Sequence, residues 1–328
     1  MRFVLEPEHK ELGASIDAML AKSDLPAVVR AWSTGDTEPG RKVWTRLAET
    51  GVNALVIEED KGGAGAGAIE MVVAVEQLGR HCVPGPVAET VAAVPKLLAA
   101  AGADDWLKRL SAGTLATLAW APHVPFAVDA NVTELSLIVG EDGGVSVGEH
   151  GAARRSVDQA RALFPLTVGE SLATGVDTAE AFNYGALATA AQLHGLGQTM
   201  LAIGTEYAKS RKQFGREIGQ FQAIKHHLAG VAIGLEMARP LLHGAALALD
   251  GVLDDATTSD SISCEVSAAK VACGDAAYRA ARTSLQVLGA IGYTQEHDLS
   301  LYLTRTRALL SAWGTPAMHR ARVIAALT

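Results

Sequence analysis

Apolar residues recur at helical spacing along the first part of the chain. Leu12, Ile16 and Leu20 would lie on one face of a helix over residues 7–22. The polar stretch 23–40, which contains two prolines, is predicted to be a loop. The same patterns predict the following further helices: 43–50, 68–80, 87–102 and 104–111.

The glycine-rich stretch 58–67 resembles a phosphate-binding loop in composition only. It lacks the Lys-Ser/Thr ending of a P-loop and has no clear strand–loop–helix context for dinucleotide binding. We therefore predict an irregular loop before the helix at 68–80.

The pattern changes at about residue 114 to short, alternating segments separated by turn residues. The run Gly-Glu-Asp-Gly-Gly at 140–144 lies between two such segments and is typical of a β-hairpin. These segments predict a small β unit of five short strands, at 115–120, 126–129, 135–139, 145–147 and 164–168.

Helical periodicity returns from about residue 178. It predicts four helices, at 186–210, 220–250, 262–288 and 296–310. The predicted fold is mainly α with a small β domain. It has three parts: an N-terminal helical domain at 1–113, a reduced β middle domain at 114–177 and a C-terminal four-helix bundle at 178–328.

Composition narrows the classes of function. The chain has 328 residues and a formal net charge of −8, which argues against a nucleic-acid or anionic-membrane surface. No apolar run approaches the roughly 20 residues of a membrane span, and the first residues lack an apolar signal core. We expect a cytoplasmic protein. The three cysteines fit no metal-binding spacing, so no metal site is predicted.

A polar turn at 211–219 carries the most distinctive chemistry. Arg211 offers a planar donor fork that suits phosphate, and Gly215 and Gly219 let the backbone approach a ligand closely. The alternative is a plain interhelical loop in which the glycines cap a helix. The residues of the turn alone favour neither reading.

Three stretches together resemble the acyl-CoA dehydrogenase family. Residues 47–80 resemble its N-terminal domain, and YAKSRKQFGREIGQFQ at 207–222 resembles its first C-terminal signature. QVLGAIGYTQEHD at 286–298 resembles the second signature, and its ending is closest to actinobacterial members that act on sterol side chains and other fatty acyl-CoAs. The resemblance covers nearly the whole chain in the right order.

The resemblance implies FAD and the α,β-dehydrogenation of acyl-CoA thioesters, with a carboxylate as the base. In this family each FAD lies between two subunits. By similarity, Arg211, Gln213 and Phe214 would contact the diphosphate and adenosine, and Phe221 and Gln222 would continue that surface. The opposite side would be lined by Gln286, Leu288, Gly289 and Ala290, of which Ala290 stands where the family usually has glycine.

Two departures from the family concern the catalytic base and the flavin ring. Trp313 occupies the position of the usual glutamate, and Gly185 occupies the position of the glutamate that some members use instead. Nothing at 115–170 resembles the family's flavin-ring segments; only the end of that domain, 156–161, is familiar. We assign no catalytic residue, because an indole cannot accept a proton. Trp313 would instead act as a plug in an empty acyl or flavin cavity.

Other acids and histidines have structural alternatives. Asp177 and Glu180 are predicted just before the first bundle helix, where the helix dipole favours acids. The second signature carries acids in the family without using them as the base. In this chain those acids are Glu296 and Asp298. We interpret His297 and His319 as structural or surface histidines.

Three hypotheses follow. In the first, the chain is one subunit of an α2β2 acyl-CoA dehydrogenase that shares FAD and acyl-CoA with a full-length partner holding the flavin ring and base. In the second, it is a catalytically silent scaffold or binding subunit without FAD. In the third, it is an active homomeric dehydrogenase with an unrecognised base. We favour the first, because the diphosphate-binding surface is retained.

Overall fold

The N-terminal part of the chain is a cluster of helices around a large apolar core. The computed structural model describes residues 4–252 and 258–328. The helices of this part are α1 (Pro7–Leu20), α2 (Leu25–Ser33), α3 (Glu38–Glu49), α4 (Ala68–Arg80), α5 (Val94–Ala100) and α6 (Asp104–Ser111). A π-helical segment, Glu89–Ala93, leads directly into α5. The glycine-rich stretch forms an irregular connection before α4, as predicted.

The prediction of a loop at 23–40 was wrong. Helix α2 and the start of α3 occupy most of this stretch. Pro26 and Pro39 lie in the first turns of these helices, where proline removes an N–H that has no intrahelical acceptor anyway. The prolines therefore start helices here.

The middle of the chain forms a small sheet region. Its strands are β1 (Ala116–Trp120), β2 (Ala127–Val128), β3 (Leu135–Val139), β4 (Val145–His150), β5 (Leu163–Phe164) and β6 (Leu166–Ala173). The main sheet has the order β1-β3-β4-β6, and β2 pairs with β5. Strands β1 and β3 are parallel, whereas β3 and β4 form the antiparallel hairpin that the sequence predicted around 140–144.

The last part of the chain is a helical bundle. Its helices are α7 (Ala179–Ser210), α8 (Gln222–Leu249), α9 (Ser259–Leu288), α10 (Leu299–Leu309) and α11 (Pro316–Leu327). Helix α7 begins earlier than predicted, and α11 is a fifth helix that the sequence analysis missed. Thr315 caps α11 by accepting the N–H of Met318. No helix within residues 4–252 and 258–328 is long and apolar enough to cross a bilayer.

Helices α7 and α9 run parallel to each other. Asn183 on α7 donates to Ser263 on α9 (3.2 Å). Nearer the C-terminal ends of both helices, Ser284 on α9 donates to the carbonyl of Met200 on α7 (2.7 Å). Contacts therefore advance in the same direction along both helices. It follows that the C-terminal ends of α7 and α9 lie at the same end of the bundle.

A buried arginine joins the three parts of the chain. The Arg305 guanidinium on α10 forms an ion pair with Asp158 from the sheet region, and both side chains are almost fully buried. Its two terminal nitrogens donate to the carbonyls of Val83 (2.9 Å) and Ala160 (3.3 Å). Such a pair is costly to break because the remaining charge stays buried.

Asp158→Ala should destabilise the chain by about 3–5 kcal/mol, because it leaves the Arg305 guanidinium buried without its counter-ion. The matched control is Asp275→Ala. It removes an exposed pair with Arg320 (2.7 Å) and should cost at most about 1 kcal/mol. Urea unfolding of both variants checks this, and equal losses would contradict the role of the buried pair.

Candidate functional site

The turn between α7 and α8 is a short, exposed hairpin. Its strands are β7 (Lys212–Gln213) and β8 (Arg216–Glu217). Phe214 and Gly215 form its tip with φ angles of +53° and +81°. A bulky residue in this region of φ is uncommon, and the Phe214 ring is 91% exposed. The hairpin therefore ends in an exposed, projecting aromatic side chain.

The hairpin surface combines aromatic rings with free donors. Phe214 and Phe221 meet edge to face at 6.1 Å, and the guanidinium of Arg216 lies 4.3 Å from the centre of the Phe221 ring. Arg211 and Gln213 are exposed, and their side chains form no hydrogen bond with other residues in the described parts of the chain. These donors are available to a ligand.

The second predicted segment follows the end of α9. Gln286 and Ala290 are exposed, and Gly289 begins a 3₁₀ turn with a φ of +62°. Leu288 is only 4% exposed, so its side chain belongs to the core. A positive φ at Gly289 is a conformation that glycine adopts without strain.

The parallel packing of α7 and α9 brings both predicted segments to one end of the bundle. We call the surface formed by residues 211–222 and 286–290 the bundle edge. Its exposed guanidinium and amides suit a diphosphate, which prefers planar and charge-assisted donors. Gln222 belongs to this surface, and its side-chain oxygen lies 3.2 Å from the ring nitrogen Nε2 of His226.

Trp313 and Gly185, which the resemblance predicts at the family's glutamate positions, are in contact. Trp313 is 1% exposed, and its indole Nε1 donates to Glu89 Oε1 at 3.0 Å. A Cβ atom on Gly185 would lie 2.4 Å from Cζ3 of the indole ring. Only glycine at position 185 leaves room for the indole, so the two departures from the family depend on each other.

The backbone around Trp313 is held from two sides. Trp313 has a φ of +55°, which is rare for a bulky residue. The ring nitrogen Nε2 of His319 lies 2.8 Å from the carbonyl oxygen of Trp313. Lys270 donates to the carbonyls of Leu309 and Leu310 at 3.2 and 3.3 Å. These contacts fix the loop that carries the indole.

Burial shifts the titration of both groups that hold this loop. It lowers the pKa of His319 to about 4 and that of Lys270 to about 7. The opposite ring nitrogen of His319 lies 3.1 Å from the hydroxyl oxygen of Ser267. His319 is therefore a buried structural residue.

Aromatic rings surround the indole of Trp313. Phe182 lies 5.9 Å from it between ring centres, and Trp120 lies 6.4 Å away in an edge-on arrangement.

The sequence analysis missed Glu89 and the contacts of Lys270. Glu89 sits inside an apolar helical pattern, and its partner is 224 residues away along the chain. No local signal could have paired them.

Three of the other candidate acids, Asp177, Glu180 and Asp298, are engaged elsewhere. Glu180 lies inside the first turn of α7, not before it as predicted, and pairs with Lys96 (3.2 Å). Asp298 pairs with Arg30 (2.8 Å). Asp177 accepts a backbone N–H at the start of α7, and His297 accepts one at the start of α10. Their contacts are those of structural residues.

Comparison with protein-family models decides the family. The model described as acyl-CoA dehydrogenase, N-terminal domain, matches residues 6–114, and the C-terminal domain model matches residues 175–328. The chain belongs to the acyl-CoA dehydrogenase family. It is also 32% identical to the acyl-CoA dehydrogenase IpdE2 of Mycobacterium tuberculosis over 305 residues, covering 91% of each chain.

Solved structures share the acyl-CoA dehydrogenase fold. A chain of the ChsE4-ChsE5 complex from Mycobacterium tuberculosis superposes with a TM-score of 0.85 at 21% identity, covering 100% of this chain and 99% of that one. A chain of the Tcur3481-Tcur3483 steroid ACAD, in its G363A variant, gives a TM-score of 0.83 at 21% identity, covering 98% and 97%. These similarities support the predicted fold class.

Gly185→Ala should destabilise the chain by about 1–3 kcal/mol, because the added methyl group overlaps the indole. In a Trp313→Leu background the same change should cost less than about 0.5 kcal/mol, since the overlapping ring is gone. Urea unfolding of the two single variants and the double variant measures this coupling.

The control for this cycle is Gly234→Ala on α8. Nothing lies within 4 Å of a Cβ atom built there, so the change should be neutral or stabilising by up to about 1 kcal/mol. Additive effects of Gly185→Ala and Trp313→Leu would show that the two positions do not depend on each other.

His319→Gln should change how stability responds to acid. The folded pKa of His319 is lowered to about 4, so between about pH 6.5 and 4 the unfolded chain binds a proton that the folded chain does not. Acidification through this window therefore removes roughly 3 kcal/mol of stability from the wild type through this group, and the variant escapes that loss.

The titration of Asp129 affects stability in the opposite direction, and its contribution must be separated from that of His319. Burial raises its pKa to about 7, so the folded chain binds the extra proton and stability falls as the pH rises from about 4 to 7. Wild type and His319→Gln share this contribution. The difference between their unfolding free energies, compared at pH 7.5 and at pH 4.5, therefore isolates the contribution of His319. An unchanged difference would contradict its burial in the neutral form.

Proposed function

We propose that this chain is a subunit of a heteromeric, flavin-dependent acyl-CoA dehydrogenase. It would supply the bundle edge of an FAD site whose flavin ring and catalytic base belong to a full-length partner. The observation that carries this proposal is the contrast within one chain. The bundle edge has exposed donors without a partner among the described residues, whereas Trp313 packed on Gly185 closes both positions that the resemblance predicts for the base.

The bundle edge fits the diphosphate and adenosine end of FAD. The Arg211 guanidinium can form charge-assisted hydrogen bonds with a diphosphate, and Gln213 and Gln286 add amide donors. The Phe214 ring, at 91% exposure, offers an apolar face that a ligand or a partner subunit would cover. FAD supplies the hydride chemistry when bound, and these residues would bind and orient it.

The flavin-ring end does not fit within this chain. The indole of Trp313 fills the place where the base belongs, and its N–H is a donor only. The nearest carboxylate, Glu89, is 3% exposed and accepts that N–H at 3.0 Å. A proton acceptor for the substrate would therefore have to come from another subunit.

The comparisons support a heteromer and a sterol-related substrate. Two of the structures that share this fold are named as pairs of chains, ChsE4-ChsE5 and Tcur3481-Tcur3483, and the second is named a steroid ACAD. By analogy, we propose an α2β2 assembly that acts on acyl-CoA thioesters from lipid or sterol side-chain β-oxidation. The acyl pocket would be shared with the partner.

The alternative is a catalytically silent scaffold or binding subunit without FAD. Absorbance spectra separate the two. The chain alone should be colourless, and its co-purified complex with a full-length acyl-CoA dehydrogenase should be yellow, with about one FAD per heterodimer. A colourless complex would support the scaffold. A yellow homo-oligomer that oxidises acyl-CoA unaided would overturn the proposal.

Arg211→Ala should weaken FAD binding by the complex about 10- to 100-fold, because a charge-assisted hydrogen bond contributes about 1.5–3 kcal/mol. Arg211 is exposed, so the stability of the chain should change by less than about 0.5 kcal/mol. Fluorescence titration of FAD into the stripped complex measures this.

The matched control is Arg239→Ala on α8, which removes only a partly exposed pair with Glu236 (2.8 Å). FAD affinity should be unchanged in this variant. Equal affinities for wild type and Arg211→Ala would remove the role assigned to Arg211.

A further inference from the structure

A cavity of about 310 Å³ lies outside the bundle edge. Its walls come from the loop that follows β1, from the segment around Arg161 and from the loop between α10 and α11. None of its lining residues belongs to 211–222 or 286–290. Its volume is at the lower end of the range of about 300–1,000 Å³ that is usual for small-molecule sites.

Arg161 is the charged residue on the wall of this cavity. It is partly buried, and its side chain forms no hydrogen bond or ion pair with any residue in the described parts of the chain. Burial lowers its pKa, and the negative charge of Glu89 acts most strongly in the opposite direction. A guanidinium in this position has donors that the protein itself does not satisfy.

The acids around Arg161 are already engaged with other groups. Asp158 is bound to Arg305, and Glu89 accepts the indole N–H of Trp313. Asp129 accepts the backbone N–H of Ala162 at 2.8 Å. The guanidinium is therefore free to pair with a ligand in the cavity whose wall it helps to form.

The remaining walls combine apolar and polar groups. The larger apolar side chains are those of Pro122, Val124, Phe126, Leu163 and Trp313. Polar groups come from the ring of His123 and from the hydroxyls of Ser311 and Thr315, and Thr315 also accepts an N–H to cap α11. The site thus combines one cationic donor with apolar walls and a few polar groups.

We propose that this cavity binds a small organic carboxylate with an apolar body, held by Arg161. A carboxylate matches the planar donor fork of arginine, and the body of the ligand would contact the apolar walls. A neutral apolar ligand would leave the Arg161 guanidinium without a counter-ion. The cavity shares no lining residue with the bundle edge, and Trp313 lies in its wall.

Benzoate and its uncharged counterpart benzamide are suitable probes. Titrated into the full-length chain and followed by calorimetry, benzoate should bind saturably, with a Kd of about 1 mM or below. Benzamide should bind at least about 10-fold more weakly, since it lacks the charge that pairs with Arg161. This comparison needs no variant.

Arg161→Gln should weaken benzoate binding at least about 10-fold, as expected for loss of a charge-assisted pair. Arg155→Gln, at an exposed arginine of the same segment, and Arg211→Ala, on the bundle edge, should leave it unchanged. Ser311→Trp, at an exposed position on the cavity wall, should block binding without touching Arg161. It serves as the test if Arg161→Gln does not fold.

Three outcomes would overturn the proposal: no saturable binding of benzoate below about 10 mM, equal binding of benzoate and benzamide, or full binding by Ser311→Trp. FAD binding by the complex should survive Arg161→Gln. Failure of the carboxylate-site proposal would therefore leave the proposed role in FAD binding intact, and the reverse also holds.

Discussion

The packing of Trp313 on Gly185 is the constraint on which the rest of the site depends. A Cβ atom at position 185 would lie 2.4 Å from the indole, so glycine is required for the indole to occupy its place. Once there, the ring excludes any side chain of position 185 from the space that a base would need. Gly185→Glu alone would therefore not place a carboxylate in that space, because the indole already fills it.

The surrounding structure stabilises this arrangement. Glu89 accepts the indole N–H, His319 and Lys270 hold the loop through backbone carbonyls, and Phe182 packs against the ring. The left-handed backbone of Trp313 is therefore fixed by several contacts that come from different helices. Residues held in rarely populated backbone conformations persist when their surroundings over-determine them.

The two ends of the site differ in what they expose. The bundle edge presents donors that water can satisfy in the free chain and a ligand can satisfy in a complex. The base position is closed by a well-packed aromatic cluster with no such freedom. This division is physically consistent with a subunit that contributes one half of a site and leaves the other half to a partner.

The sequence predicted most helices and the sheet region, because periodicity is a local signal. The contact surface of the first signature stays a prediction. The sequence analysis misread Pro26 and Pro39, which begin helices, and it missed α11, whose face towards the rest of the chain is small. The spacing of the motif predicts that Trp313 and Gly185 stand at the base positions. The Glu89–Trp313 hydrogen bond and the lack of a partner for Arg161 among the described residues depend on contacts between distant parts of the chain, which no local pattern records.

We propose that the catalytic base belongs to the full-length partner subunit. Turnover of acyl-CoA by the heteromer, with Glu89→Gln in this chain, tests it most directly. Glutamine retains an oxygen that can accept the Trp313 N–H, so the account predicts turnover within about 3-fold of wild type, because Glu89 has no part in proton transfer. Replacing the partner's own catalytic carboxylate should instead lower turnover by at least about 100-fold. A folded, FAD-containing Glu89→Gln complex without turnover would contradict the account, because it would place the base in this chain.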